Sequence, residues 1–279
     1  MSLTAKALWV IERHLFQAAT LADIASACGV SRHHLAHAFA RTTGMSVLAY
    51  LRGRRLTEAA RALAAGASDI LDVAIGAGYG SHEAFTRAFR AQFGTTPAAV
   101  RRGGSVEGIP LVTAMGDTDR TPLSLDPPRF EMTGVIHLIG LFRRHRFDHT
   151  RPIAQQWQEF IPEHAGIGPK IQPVPVGVVR ALDDMGNFDY GCASEVTARA
   201  EAPAGLKRLR LAPQLYAVFT HRSHVSALDG SYGAVWDVWM PNSGDCAPVT
   251  APSLERHLPA FDPRTGDGGV EIWVPVIRR

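Results

Sequence analysis

The chain has 279 residues, a formal net charge of +3 at pH 7 and 46% apolar residues, enough apolar side chain for cores in about two domains of roughly 100–200 residues each and too much for global disorder. Its three cysteines, Cys28, Cys192 and Cys246, lie far apart and form no C-x-x-C pair; this argues against a disulfide framework or zinc knuckle, fits a reducing compartment, and makes a cytoplasmic location the expectation. No apolar run approaches the about 18 residues of a membrane span, and Met1–Gln17 is amphipathic rather than leader-like, so no membrane partner is expected.

Charge is divided unevenly. Residues 1–105 hold 12 Lys and Arg against 6 Asp and Glu, whereas residues 106–279 hold 17 against 20. A basic first part points to a polyanionic partner for that part alone. The same part contains a repeat. In Ala22–Gly44, Asp23, Ala25 and Gly29 recur 49 positions later as Asp72, Ala74 and Gly78, and Leu35, Phe39 and Gly44 recur 50 later as Phe85, Phe89 and Gly94.

Each copy reads as a helix-turn-helix. Small Ala25 and Ala74 let two helices cross closely, Gly29 and Gly78 end the first helix, and Ser31 and Ser81 are good N-caps for the second. Leu35 with Phe39, and Phe85 with Phe89, are i, i+4 pairs that anchor the second helix inward. On that wheel His33, His37 and Ala40 point outward in the first copy, flanked by Ala36 and Arg41. Glu83, Arg87 and Arg90 point outward in the second. These are positions from which a helix reaches base edges and phosphates of double-stranded DNA. Between the copies, Val47–Ala65 carries a Leu56, Ala59, Ala60, Leu63 stripe and predicts one long helix of about 28 Å, with Arg52, Arg54, Arg55 and Arg61 as candidate phosphate contacts or solvated charges.

The run GYGSHEAFTRAFRAQFGTTPAAVR (Gly78–Arg101), with GVSRHHLAHAFARTTG in the first copy, resembles the AraC/XylS family of transcription regulators over about residues 5–103. The resemblance implies two helix-turn-helix units joined by a long helix, and base reading by both second helices. It carries over to His33, Ala36 and His37, and to His82, Glu83, Ala84 and Arg87; Arg32, Arg41 and Arg90 complete the expected DNA-binding set. Ala36 and Ala84 depart from the family pattern, since alanine offers only a contact to a thymine methyl. His33 and His37 lack a third ligand, so no metal site is expected there.

Residues 106–125 read as a linker rich in Gly, Thr, Asp and Pro. Beyond it, strands are predicted at Val135–Leu141, Val174–Arg180, Tyr190–Thr197, Gln214–His221 and Gly269–Ile277, with helices at Pro152–Phe160 and Ala227–Met240. The order restarts halfway, which predicts an α+β domain with an antiparallel sheet and a pseudo-two-fold repeat over residues 126–279. The segments LAPQLYAVFTHRS (Leu211–Ser223), YGAVWDVWMPNSG (Tyr232–Gly244), PSLERH (Pro252–His257) and VEIWVPV (Val270–Val276) resemble the GyrI-like family of small-molecule-binding domains. That resemblance implies a pocket between the halves for a hydrophobic, often cationic molecule, with Glu255 as the pocket carboxylate. His257 and Ser223 depart from the residues common in the family. Trp157, Tyr216, Trp236 and Trp239 are candidate walls, each also suited to plain core packing.

The expectation is therefore a sequence-specific DNA-binding regulator, not an enzyme, with a small-molecule effector, no cofactor, no metal, and RNA polymerase as a further candidate partner. The alternatives for residues 126–279 are a small-molecule hydrolase, which would need a second carboxylate beside Glu255, and a protein-interaction module. His145, Asp148 and His149 read as a polar loop rather than a metal site.

Overall fold

The computed structural model describes residues 2–115, 125–147, 151–262 and 265–278. Its first helices are α1 (Leu3–Arg13), α2 (Leu21–Cys28), α3 (Arg32–Thr43), α4 (Val47–Ala64), α5 (Ile70–Gly76), α6 (His82–Phe93) and α7 (Pro97–Gly103). The chain forms two compact units. One comprises residues 5–32 and 47–119, the other residues 2–4, 33–46 and 120–279. Helix α3 thus belongs almost wholly to the second unit.

In the first unit, local sequence sets the helix ends. Thr20 and Asp23 form a reciprocal capping box on α2, and Gly29 closes it at φ 76°, a left-handed conformation that glycine adopts without strain. Ser81 caps α6 by accepting from the Ala84 N–H, and Gly94 ends it. Phe85, Phe89 and Phe93 of α6 meet Leu56, Ala59, Ala60 and Leu63 of α4 and Ala74 of α5 in one core, as the periodicity requires. Two of the four arginines of α4 turn inward, while Arg52 and Arg61 are exposed. Arg54 is buried and grips both oxygens of Glu12 at 2.9 Å, and Arg55 donates to the carbonyls of Leu15 and Gln17. These two fasten the unit internally.

The stretch read as a linker is partly fastened to this unit. Val112 donates to Thr57 Oγ1 at 3.0 Å and accepts from Arg54, and Met115 donates to the Tyr50 hydroxyl. Val106, Ile109 and Leu111 pack on the same core. Three apolar residues without a period gave no sign of this, because an irregular strap has none. The remainder of the linker, residues 116–124, lies outside the described residues, as do Asp148 and His149.

The second unit is built on a nine-stranded antiparallel sheet: β1 (Arg129–Met132), β2 (Ile136–Arg146), β3 (Val176–Arg180), β4 (Asn187–Val196), β5 (Lys207–Leu211), β6 (Leu215–His221), β7 (Cys246–Pro248), β8 (Ser253–His257) and β9 (Val270–Arg278), in the order β1-β6-β9-β8-β3-β4-β2-β5 with β7 beside β9. Helix α8 (Arg151–Gly166) follows β2. After β6 come α9 (Leu228–Gly233), a π-helical turn (Ala234–Trp239) and α10 (Met240–Asn242). Strands β2, β3 and β4 with α8 form one half, and β6, β8 and β9 with α9 the other. The halves meet where β3 pairs with β8, so the pseudo-two-fold relation passes between these two strands. The leading strand of each half crosses over: β1 pairs with β6, and β5 with β2. The predicted repeat is present; β1, β5, β7 and β8 are short strands that the alternation did not reveal.

Strand parity gives the sheet two faces. Leu254, Val176, Val178, Tyr216, Val218 and Trp273 share one cluster. Val179, Phe188, Tyr190 and Cys192 share another with Phe160, Trp157 and, from α3, Ala40.

Candidate DNA-reading face and ligand site

On α6 the structure places His82, Glu83, Arg87 and Arg90 in solvent, while Phe85 and Phe89 are fully buried. The four exposed side chains line an open groove with Thr86 and Ala91. The helix is 12 residues long and capped at both ends, so these side chains project from a rigid element. The wheel-derived outward face of the second copy is therefore the one observed. An arginine offers a planar fork of donors suited to guanine O6 and N7 or to phosphate.

The first copy differs. Arg32, at the start of α3, is exposed and Ala36 is half-buried, but His37 and Ala40 are buried and His33 is largely covered. The outward face predicted for α3 packs inside the second unit. The His37 ring stacks on Trp236, with centroids 4.6 Å apart and planes 16° apart, and lies 4.5 Å from the His33 ring. His34 hydrogen-bonds the Trp236 carbonyl at 2.7 Å, and Thr42 donates to Asp237 at 2.6 Å. Burial, with His34 beside it, pulls His33 down to about 4. Burial also holds His37 well below the usual histidine value. A single-helix wheel ranks faces by hydrophobicity. It cannot register that two neutral histidines and a tryptophan make a serviceable apolar stack.

Glu255 occupies the middle of the sheet, on β8 opposite Gly177 of β3. It is only 6% exposed. Each carboxylate oxygen accepts one phenol: Oε2 from Tyr190 of β4 at 2.6 Å, and Oε1 from Tyr232 of α9 at 2.8 Å. Burial, then the neighbouring carboxylate, drives both phenols well above the ordinary tyrosine pKa, so they remain donors. A side chain at Gly177 would collide with this arrangement, since a Cβ there would stand 2.5 Å from the Tyr190 hydroxyl and 2.8 Å from Glu255 Oε2. Over the Tyr232 ring lies a guanidinium. Arg41 Cζ sits 3.7 Å from the Tyr232 ring centroid and 5.2 Å from that of Phe147. Burial opposes its charge, and Tyr232, Asp229 and Glu255 outweigh that, leaving its pKa raised.

The four candidate walls separate. Trp157 of α8 joins the Glu255 site through one link, donating to the Tyr190 hydroxyl at 3.1 Å. Trp236 is fully buried under α3. Trp239 packs on Phe219, with centroids 4.9 Å apart. Tyr216 does not share the site: β6 parity turns it to the opposite face, where it meets Trp273 and donates to the Pro252 carbonyl. Tyr190, Tyr232 and Gly177 were missed. Period two along β4 and β3, counted from the joint with β8, would have aimed Tyr190 and Gly177 at the Glu255 face; Tyr232 depended on where α9 crosses the sheet.

The helix-turn-helix domain family matches residues 24–103, and the GyrI-like small molecule binding domain family matches residues 126–277. Transcriptional regulator Rob of Salmonella typhimurium is 29% identical over 296 aligned positions, covering 97% of this chain and 96% of the relative. The Right origin-binding protein of Escherichia coli matches at the same identity and coverage. A solved structure of SAV2435 bound to tetraphenylphosphonium aligns with 55% of this chain and 94% of its own, at 18% identity and a TM-score of 0.44. Among the described residues no helix is long and apolar enough to cross a membrane. The chain belongs to the GyrI-like small molecule binding domain family, carried behind an AraC-type helix-turn-helix reader, and is a DNA-binding transcription regulator homologous to Rob.

Proposed function

We propose that the effector of this regulator is a hydrophobic cation whose charge is taken by Glu255, and that α6 reads its operator with His82, Glu83, Arg87 and Arg90. The observation that carries the first part is a buried carboxylate held by two phenols, one of whose ring faces already carries a cation, the Arg41 guanidinium. A carboxylate in such a place is poorly solvated and gains most from a cation that sheds its own water cheaply. Aromatic faces add cation–π attraction and apolar area. A hydrolytic role would ask for a second acid to work with Glu255; the groups that touch this carboxylate are phenols, which hold it still rather than pass protons near neutral pH.

Calorimetric titration with tetraphenylphosphonium, and with the neutral triphenylphosphine oxide as a shape control, tests the reading. Glu255→Gln keeps the shape of the side chain and removes its charge. Loss of one member of a desolvated pair costs a few kcal/mol, so tetraphenylphosphonium affinity is expected to fall by at least about thirtyfold while the neutral compound is little affected. Equal tetraphenylphosphonium affinities for the two proteins would refute the assignment.

A further inference from the structure

The cation site beside Glu255 already holds a cation of the chain. Arg41 projects from α3, the second helix of the first repeat copy, and its guanidinium lies over the faces of Tyr232 and Phe147. Its side chain is only 10% exposed. It is nevertheless held loosely by the standards of a buried arginine. Nη1 reaches Asp229 at 3.3 Å, a carboxylate that is itself 67% exposed, and the buried Nε has no hydrogen-bond partner among the described residues. A guanidinium has five N–H donors, so most of its stabilisation here comes from ring faces and from the charges around it. Those are the features that a free hydrophobic cation would use.

We propose that Arg41 is a tethered occupant of the effector site, which a soluble hydrophobic cation must displace, so that ligand binding and the docking of α3 against the rest of the second unit exclude one another. The inference rests on the cation-binding reading of Glu255. Physical chemistry favours exchange: a large delocalised cation loses less hydration on burial than a compact guanidinium, because the desolvation cost falls as the charge spreads. The consequence reaches DNA reading through the same helix. While docked, α3 keeps His37 stacked on Trp236 and His33 covered. Those are two of the side chains the repeat assigns to base contacts. Displacing Arg41 removes one of the ties on that face; the His34–Trp236 and Thr42–Asp237 hydrogen bonds, the His37–Trp236 stack and the packing of Ala40 are others that must loosen.

The test uses the full-length protein and tetraphenylphosphonium. Affinity is measured by calorimetry for the wild type, Arg41→Ala, Asp229→Asn and Glu255→Gln, and amide hydrogen exchange of residues 34–42 is followed with and without saturating tetraphenylphosphonium. An apparent affinity is reduced by the fraction of molecules whose site is open. If Arg41 closes the site most of the time, Arg41→Ala should bind at least about tenfold tighter. Asp229→Asn, which removes Arg41's hydrogen-bonding carboxylate at an exposed position, should bind a few-fold tighter and decides the matter if Arg41→Ala does not fold. Saturation of the wild type should speed exchange in α3. Equal affinities for wild type and Arg41→Ala, both lost in Glu255→Gln, would overturn the plug and leave the sensor reading standing. Tighter binding with no change in α3 exchange would also overturn it, since the variant would then have altered only the local field. No binding by any protein would overturn the sensor reading itself.

Discussion

One methyl group added at Gly177 should be felt at Glu255. Gly177 lies on β3 opposite Glu255, and its backbone is ordinary extended strand, so alanine carries no conformational penalty there; the whole effect is steric. The new Cβ would stand 2.5 Å from the Tyr190 hydroxyl, 2.8 Å from Glu255 Oε2 and 3.1 Å from Glu255 Cβ. The tyrosine is pinned by its ring packing and by Trp157, and the carboxylate by two phenols, so neither gives way cheaply. Overpacking of this kind costs about 1–3 kcal/mol. For a unit of this size that is a fall in Tm of about 2–12 °C, read in the calorimetric transition of the second unit. Gly76→Ala is the matched control. It lies at the end of α5 with nothing within 4 Å of the added Cβ, and the helix-propensity difference should leave stability unchanged or raise it by up to about 1 kcal/mol. If Gly177→Ala were as stable as Gly76→Ala, with tetraphenylphosphonium affinity unchanged, the close-packed Glu255–Tyr190 contact would not exist as described.

Arg87→Ala should weaken binding to a selected operator by about 1–3 kcal/mol more than it weakens binding to random DNA, whereas Arg90→Ala should lower both about evenly; equal losses for Arg87→Ala in a competition assay would move that residue to the phosphates. Arg54→Ala should destabilise the first unit by about 2–4 kcal/mol in urea unfolding, because it takes the guanidinium away from Glu12, which keeps the Tyr50 hydroxyl, and from Glu58, which keeps Arg61, and a stability within about 0.5 kcal/mol of wild type, the surface-substitution scatter, would refute a structural role. Docking of α3 should weaken in acid. Burial holds His33 near 4 and His37 well below its ordinary value when docked, against about 6.5 for a free histidine, so the docked state is fully favoured above pH 6.5 and, for His33, loses up to about 1.4 kcal/mol per pH unit as pH falls towards 4, with His37 acting in the same direction. The groups facing them are His34, Arg41, Trp236 and Asp237; burial raises the Asp237 carboxyl, and its proton uptake offsets part of the loss at the lower end. Hydrogen exchange of residues 34–42 at pH 7 and pH 5 checks this, with pH-independent protection as the refuting result.

Much of the architecture could be read without coordinates. The 49- and 50-residue recurrence located both helix-turn-helix segments, because a helix-turn-helix needs small residues at its crossing, glycine at its turn and apolar pairs at i, i+4, and all are local demands. The face of α6 followed from 100° per residue for the same reason: its core partners are on α4 and α5 of its own unit, and Phe85 and Phe89 mark the buried side plainly. The restart of the strand and helix pattern after residue 211 likewise exposed the two halves of the sheet domain, and the PSLERH segment singled out Glu255. Three things belonged to the tertiary structure. Which aromatics surround Glu255 depended on strand parity, across the β3–β8 joint for residues 78 positions apart and across β9 for β6, whose register turns Tyr216 to the far face. The strap at residues 106–115 had no period to betray it. The burial of His33, His37 and Arg41 depended on a surface supplied by Trp236 and Tyr232 nearly 200 residues away, and a helix wheel treats every polar side chain as facing water. Charge and polarity decide where a side chain goes only relative to the partner it meets, and for α3 that partner is chosen by the fold.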